Sequence, residues 1–179
     1  MKNKLLTLVL CLFSTLAFAD GNEYEINMNQ SYKYSKKRTI DANYDADKDY
    51  TVKLIGKYSD YNIVNWDEDR ISFHVEIVAK SNKESALDNI LSSIDVHFSD
   101  IKKSRETKIV EAKTKIDNLK LNNASISIDY YIMIPKGLDI DVDNIYGDVD
   151  IQSAENVKMK LLYGDSDISE ADNIDAEIS

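Results

Sequence analysis

Two consecutive stretches, Tyr146–Leu162 (YGDVDIQSAENVKMKLL) and Tyr163–Ser179 (YGDSDISEADNIDAEIS), decide how the rest of the chain is read. Laid over each other they agree at seven of seventeen positions: a tyrosine, a glycine, two aspartates, an isoleucine, an alanine and an asparagine. Three further pairs are conservative, Glu155 with Asp172, Val157 with Ile174 and Leu161 with Ile178. A unit this short cannot bury its own apolar side chains, so it has to stack on a neighbour of the same kind. The spacing predicts parallel strands offset by 17 residues, the stacked coils of a β-solenoid or β-helix.

Side-chain columns follow from that offset. Ile140, Val157 and Ile174 share one position, Val142, Met159 and Ala176 another, and both columns are apolar. The alternate positions give Asp141, Lys158, Asp175 and Asp143, Lys160, Glu177, the acid–base–acid order that adjacent parallel strands favour. Gly147 and Gly164 follow the aromatic residue, where a corner is expected to need a backbone angle costly to other residues. Asn156 and Asn173 are expected to stack as an amide ladder at the opposite turn. Tyr146, Gly147, Asp148 and Asn156, with Tyr163, Gly164, Asp165 and Asn173, are therefore the structural signature of the repeat. Residues 135–179 read as its start, and Ile132 and Ile134, at the offsets of Val149 and Ile151, carry the stacking upstream of Pro135.

Working toward the N-terminus, the chain remains mainly β. Ser125–Ile134, Thr107–Thr114, the run Ile94, Val96, Phe98 and the run Ile71, Phe73, Val75, Ile77 alternate apolar with polar residues, the mark of half-buried strands. Tyr50–Ile55 and Tyr61–Trp66 are rich in strand formers. Trp66 is expected to close the end of the core near the charged turn Asp67–Arg70. Ser81 and Glu84 have capping-box spacing, and Leu87, Ile90, Leu91 and Ile94 follow at helical spacing, so one helix is expected over about residues 81–93. Residues 41–134 thus form a strand-rich part, preceded by a polar lead-in over residues 20–40 whose Tyr32–Ile40 portion supplies an edge strand.

The first nineteen residues carry Lys2 and Lys4, an apolar run from Leu5 to Leu16, and Ala17-Phe18-Ala19 before Asp20. These are the three parts of a secretory signal peptide, which predicts export to the periplasm, the cell surface or the exterior. The lone cysteine, Cys11, lies in the apolar run and leaves with it, so the exported chain relies on no disulfide. Removal of the leader leaves 20 basic residues against 32 acidic ones, a formal charge of −12. That balance argues against nucleic acid and anionic membrane as partners. No later segment is apolar enough to span a bilayer.

The chemistry the sequence offers is sparse. Asp139, Asp141, Asp143 and Asp150 approach calcium-loop spacing, but Asn144 stands where the turn glycine is needed and the closing glutamate is missing. Stacking sets Asp148 beside Asp165 and Asp150 beside Asp167, like charges that favour solvation or a bridging cation, so weak calcium binding is the one cofactor expectation. The same carboxylates could serve a polysaccharide-cleaving enzyme, though nothing selects one pair. His74 and His97 fall on polar sides of alternating strands. No catalytic or cofactor-binding residue is therefore assigned.

The combination of Trp66-Asp67-Glu68-Asp69 ahead of an alternating strand, IPKGLDIDVDNIYGDVDI (134–151) and LLYGDSDIS (161–169) resembles the "putative adhesin" family of exported bacterial β-solenoid proteins. The resemblance covers about residues 40–179. It implies a strand-rich part leading into coils marked by Tyr-Gly-Asp or Phe-Gly-Asp, no catalytic residues to carry over, and a surface role. The expected function is a non-enzymatic envelope or surface binding or scaffold protein with an unknown protein or glycan ligand. An envelope sensor or accessory protein is the alternative. Ile174, Ala176 and Ile178 prepare a further coil beyond the second Tyr-Gly-Asp. A truncated solenoid with an exposed last strand, open to edge-to-edge self-association, is therefore expected.

Overall fold

A computed structural model describes residues 31–46, 49–102, 108–117, 119, 121 and 123–179. The signal peptide and the first part of the polar lead-in lie outside the described residues. Among the described residues there are ten strands: β1 Tyr34–Asp45, β2 Tyr50–Lys57, β3 Ser59–Trp66, β4 Arg70–Ser81, β5 Ile94–Lys102, β6 Lys108–Ile116, β7 Ala124–Pro135, β8 Asp139–Ile145, β9 Val149–Leu162 and β10 Ser166–Ile178. One short helix, α1, spans Leu87–Ser92. The protein is mainly β, and among the described residues no helix is long and apolar enough to cross a membrane.

The strands join in the order β1-β4-β7-β3-β9-β8-β2-β6-β5, with β10 added to β9. Strand β9 belongs to both halves of this path. Its beginning pairs with β3, Ile151 opposite Ile63, and its end pairs with β8, Val157 opposite Ile140. The sheet therefore folds over at β9 into two layers. Its far edges come together where Arg38 Nη2 donates to the Ile94 carbonyl at 2.5 Å and the Phe73 and Phe98 rings meet at 5.1 Å, which leaves the sheet nearly closed, like a barrel.

Alternation fills the space between the layers. Ile71, Phe73, Val75 and Ile77 of β4, Ile128, Tyr130, Ile132 and Ile134 of β7, and Val52 and Leu54 of β2 are all buried there. Each such side chain contributes about 1.5–3 kcal/mol by leaving water. The pairing of β8 with β9 and of β9 with β10 is parallel and offset by 17 residues throughout, from Ile140↔Val157 to Ile178↔Leu161. The repeat alignment thus gives the observed register, because a strand buried on one face tolerates no slip by one residue. The charge order also extends beyond the repeat. Glu111, Lys53, Asp141, Lys158 and Asp175 lie side by side across β6, β2, β8, β9 and β10.

Two expectations are corrected. Ile132 lies opposite Ile63, whose other neighbour is Ile151, so the column runs Ile132, Ile63, Ile151 and not Ile132 to Val149. Strand β3 intervenes between β7 and β9 and shifts the register by two, a change that alternation cannot reveal because it returns every side chain to the same face. The helix is also shorter than residues 81–93. Ser81 ends β4, and its hydroxyl accepts the Lys83 N–H at 3.1 Å. A single 3-10 turn, Glu84–Ala86, then precedes α1, and neither start carries a side-chain cap. Leu87, Ile90 and Leu91 are buried as the helical spacing requires.

Candidate functional site

The Tyr-Gly-Asp corners join the two layers. Tyr146 and Tyr163 adopt a left-handed backbone, φ 61° and 58°, and so does Tyr58 between β2 and β3, φ 58°. That conformation costs a non-glycine residue about 1–2 kcal/mol. The rings repay it by stacking in one ladder, Tyr58 on Tyr146 at 5.1 Å and Tyr146 on Tyr163 at 5.0 Å, with planes within 12°. Aromatic pairs of this kind contribute about 0.5–1.5 kcal/mol each.

The glycines serve a different purpose from the one expected. Neither Gly147 nor Gly164 has a positive φ. A Cβ on Gly147 would stand 2.2 Å from the Ser59 carbonyl oxygen, and one on Gly164 2.2 Å from that of Gly147. The corner needs glycine because one backbone lies directly on the next.

Two hydrogen-bond ladders run along the stack in the same direction. The Asp148 N–H donates to Asp60 Oδ1 and the Asp165 N–H to Asp148 Oδ1, each at 2.9 Å. At the opposite turn Asn156 Nδ2 donates to Asp139 Oδ1 at 2.7 Å and Asn173 Nδ2 to Asn156 Oδ1 at 2.9 Å. The expected amide ladder is present, with Asp139 as its first member.

Together these contacts identify an earlier corner that the sequence comparison did not find: Tyr58-Ser59-Asp60. The string YSDYNI (58–63) is the counterpart of YGDVDI (146–151) and YGDSDI (163–168). Its signal was Tyr-x-Asp before an apolar strand, hidden by serine in place of glycine. The serine fits because its buried hydroxyl turns inward to Thr114 Oγ1 at 3.2 Å, and Thr114 in turn meets Tyr130 OH at 2.6 Å.

The outward face of β4, β7, β3, β9 and β10 is acidic. Glu76, Asp129, Asp60, Asp148 and Asp165 succeed one another across the strands, and Asp41, His74, Tyr131, Asn62, Asp150 and Asp167 form the next row, which begins on β1. Burial pushes the Asp60 carboxyl above its ordinary value. The Asp148 N–H opposes that shift, and the Asp129, Asp148 and Asp150 carboxylates add to it. His74 Nδ1 meets Asp41 Oδ1 at 2.6 Å, and this bond, helped by Glu76, raises the imidazole above its usual value. The Lys37 ammonium, with His74 beside it, lowers Glu76. His97 pairs with Asp95 at 2.7 Å, both on β5.

The four aspartates considered for calcium are brought together only in pairs. Asp150 and Asp167 are opposite each other and flank an open depression of about 320 Å³ shared with Asn62, Gln152 and Ser169. Asp148 Oδ1 already accepts the Asp165 N–H. Among the described residues no three carboxylates or histidines converge as a metal-binding set, whereas calcium takes 6–8 oxygens.

The geometry defines a mainly β protein whose last strands pair in parallel and which presents a broad acidic face. No family model and no curated relative matches the chain. Among solved structures it is similar to a "putative cell adhesion protein" from Clostridium sporogenes ATCC 15579, at 10% identity over 74% of this chain and 59% of that one, TM-score 0.41. It is also similar to a "putative adhesin" from Bacteroides fragilis NCTC 9343, at 17% identity over 79% and 58%, TM-score 0.41. A third, a "putative adhesin" from Parabacteroides merdae ATCC 43184, has 10% identity over 70% and 52%, TM-score 0.29. The chain spans between half and three fifths of the length of these proteins.

Proposed function

We propose that this chain is a non-enzymatic binding or scaffold protein of the cell envelope or cell surface, exported by residues 1–19 and built on β-solenoid coils. The 17-residue offset of β8, β9 and β10 supports the solenoid reading. The resemblance of the Tyr-Gly-Asp segments to exported adhesin-like proteins supports the location.

One observation carries the functional reading: the carboxylates lie in rows on an open sheet face. Neighbouring strands are about 4.8 Å apart, so every adjacent pair there comes near the separation a retaining glycosidase uses. The depression beside Asp150 and Asp167 is open, and Asp60, whose carboxyl is raised, is bonded to the next corner's backbone. A face of this kind meets a partner by area and charge. The depression between Asp150 and Asp167 offers calcium two carboxylates and an amide, enough for a weakly held surface ion.

A glycan array run beside a pull-down from envelope extract tests the reading. Retention of a specific glycan or protein, lost when Asp150 and Asp167 are both changed to asparagine, is the expected result. Release of saccharide from any arrayed glycan, abolished by Asp148→Asn or Asp60→Asn, would overturn it in favour of an enzyme. Calorimetry with millimolar calcium decides the ion separately.

A further inference from the structure

We propose that the outward face of β7 and β3 is a docking site for an amphipathic basic segment of a partner protein, its apolar side chains seated on Tyr131, Met133 and Val64 and its Lys or Arg side chains on the carboxylates around them. The proposal rests on the reading of the acidic face as a binding surface and names the partner of that face.

Alternation ordinarily leaves the solvated side of a sheet polar. On β7 and β3 it does not. Tyr131, Met133 and Pro135 occupy successive outward positions of β7, and Val64 and Trp66 lie directly opposite the last two on β3. Tyr131 is 48% exposed and Val64 38%, while their chain neighbours Tyr130, Ile132 and Ile63 are buried. Both strands are interior to the sheet, between β4 and β9, so no added strand can cover these side chains. Whatever covers them has to lie flat on the face. A group of large apolar side chains ringed by polar ones marks an interaction surface, and tyrosine and methionine are enriched in such contacts.

Charge decides what fits. Glu76, Asp129, Asp60 and Asp148 cross the strands on one side of the patch, and the exposed turn Asp67-Glu68-Asp69 lies beyond the other. Asp41 and Asp150 flank Tyr131 within its own row. The basic side chains beside the patch are already engaged, Lys37 with Glu76 at 2.7 Å and Arg70 with Glu68 at 2.8 Å. The Arg70 guanidinium also lies 4.8 Å over the Trp66 ring, which closes that end and leaves Tyr131, Met133 and Val64 as the open part.

The second layer is different. Its outward row Glu111, Lys53, Asp141, Lys158 alternates acid with base and neutralises itself. The acidic rows have no such counterpart, so the complementary charge has to come from the partner. A second copy of this face would set carboxylate against carboxylate. Residues 20–30 carry Asp20, Glu23 and Glu25 and no basic side chain, so they do not offer that charge either.

The test uses the full chain and the labelled peptides KFKLKFKL, KSKSKSKS and EFELEFEL, which carry both features, the charge alone and the apolar side chains alone. Fluorescence anisotropy is expected to show KFKLKFKL bound, KSKSKSKS about tenfold weaker and EFELEFEL unbound. Tyr131→Ser with Val64→Thr is expected to weaken KFKLKFKL about tenfold, to leave KSKSKSKS unchanged and to shift the melting temperature little, because both side chains are exposed. Asp60→Asn with Asp129→Asn is expected to weaken both basic peptides, whereas Asp141→Asn with Asp143→Asn on the second layer weakens neither. No binding of KFKLKFKL, equal binding of the two basic peptides, or indifference to Tyr131→Ser with Val64→Thr would overturn the proposal and leave the acidic face as a binding surface. Indifference of both basic peptides to Asp60→Asn with Asp129→Asn would sink that broader reading as well. An arrayed glycan retained by the wild type and lost with Tyr131→Ser would replace the protein partner with a sugar stacked on the ring, and so overturn the proposal.

Discussion

Tyr58, Tyr146 and Tyr163 hold the left-handed backbone at the corners, and the glycines beside two of them let one corner lie on the next. Gly147→Ala is expected to destabilise the protein by about 2–3 kcal/mol, because the new Cβ meets backbone, which cannot rotate away. Denaturant unfolding checks this. Asp60 carries a prediction of opposite sign. Its folded carboxyl is raised, so its ionised form is disfavoured in the fold, and the fold gains stability as pH falls through the folded value. An asparagine side chain in its place would keep an oxygen for the Asp148 N–H. Asp60→Asn should therefore melt no lower than wild type at pH 7, with any advantage gone at pH 3. The repeat marked tyrosine, glycine and aspartate as a unit from the sequence. Which of them bears the strained angle was not legible, because the close approach of two backbones leaves no trace in composition.

Strand pairing decides what the individual residues cannot. The imidazole of His74 sits between β1 and β7, facing Asp41 on the first and Tyr131 on the second, with Glu76 beside it on β4. Its raised folded value means that the pairing with Asp41 stabilises fully below the unfolded value of 6.5 and is lost as pH rises through the folded one. An NMR titration of the imidazole should give a midpoint above 6.5. His74→Gln should flatten the pH dependence of stability in that window. The charge column of Asp141, Lys158 and Asp175 was readable from the repeat, because the period supplied the register. The acidic rows were readable only in part, since β7 carries no repeat motif, serine hides that of β3, and their register was open by two residues. Ser81 and Glu84 had the right spacing for a helix start, but Ser81 was taken up by the end of β4.

Across the whole molecule, one column grades from core to surface. Ile140 is 1% exposed, Val157 2% and Ile174 54%. Val157→Ala is expected to cost about 2 kcal/mol and Ile174→Ala less than about 1 kcal/mol, a contrast that equilibrium unfolding of the two variants measures. The sequence showed the mainly β class and the parallel offset at its C-terminal end. It did not show that β9 turns the sheet over, or that β4 pairs antiparallel with both β7 and β1. Those features come from pairings between distant segments whose alternation is alike.

The strand order also sets a timetable. Strands β2 and β3, made from Tyr50–Trp66, each have one neighbour that follows Ile101 and another that follows Gly137: β6 and β8 for β2, β7 and β9 for β3. A chain that emerges N-terminus first cannot pair β2 before Lys108–Ile116 is made, nor β3 before Ala124–Pro135. Pairing them closes long loops before any contact repays the lost entropy. The centre of the sheet is therefore among the first parts made and among the last completed, and folding waits for the tyrosine repeat to arrive.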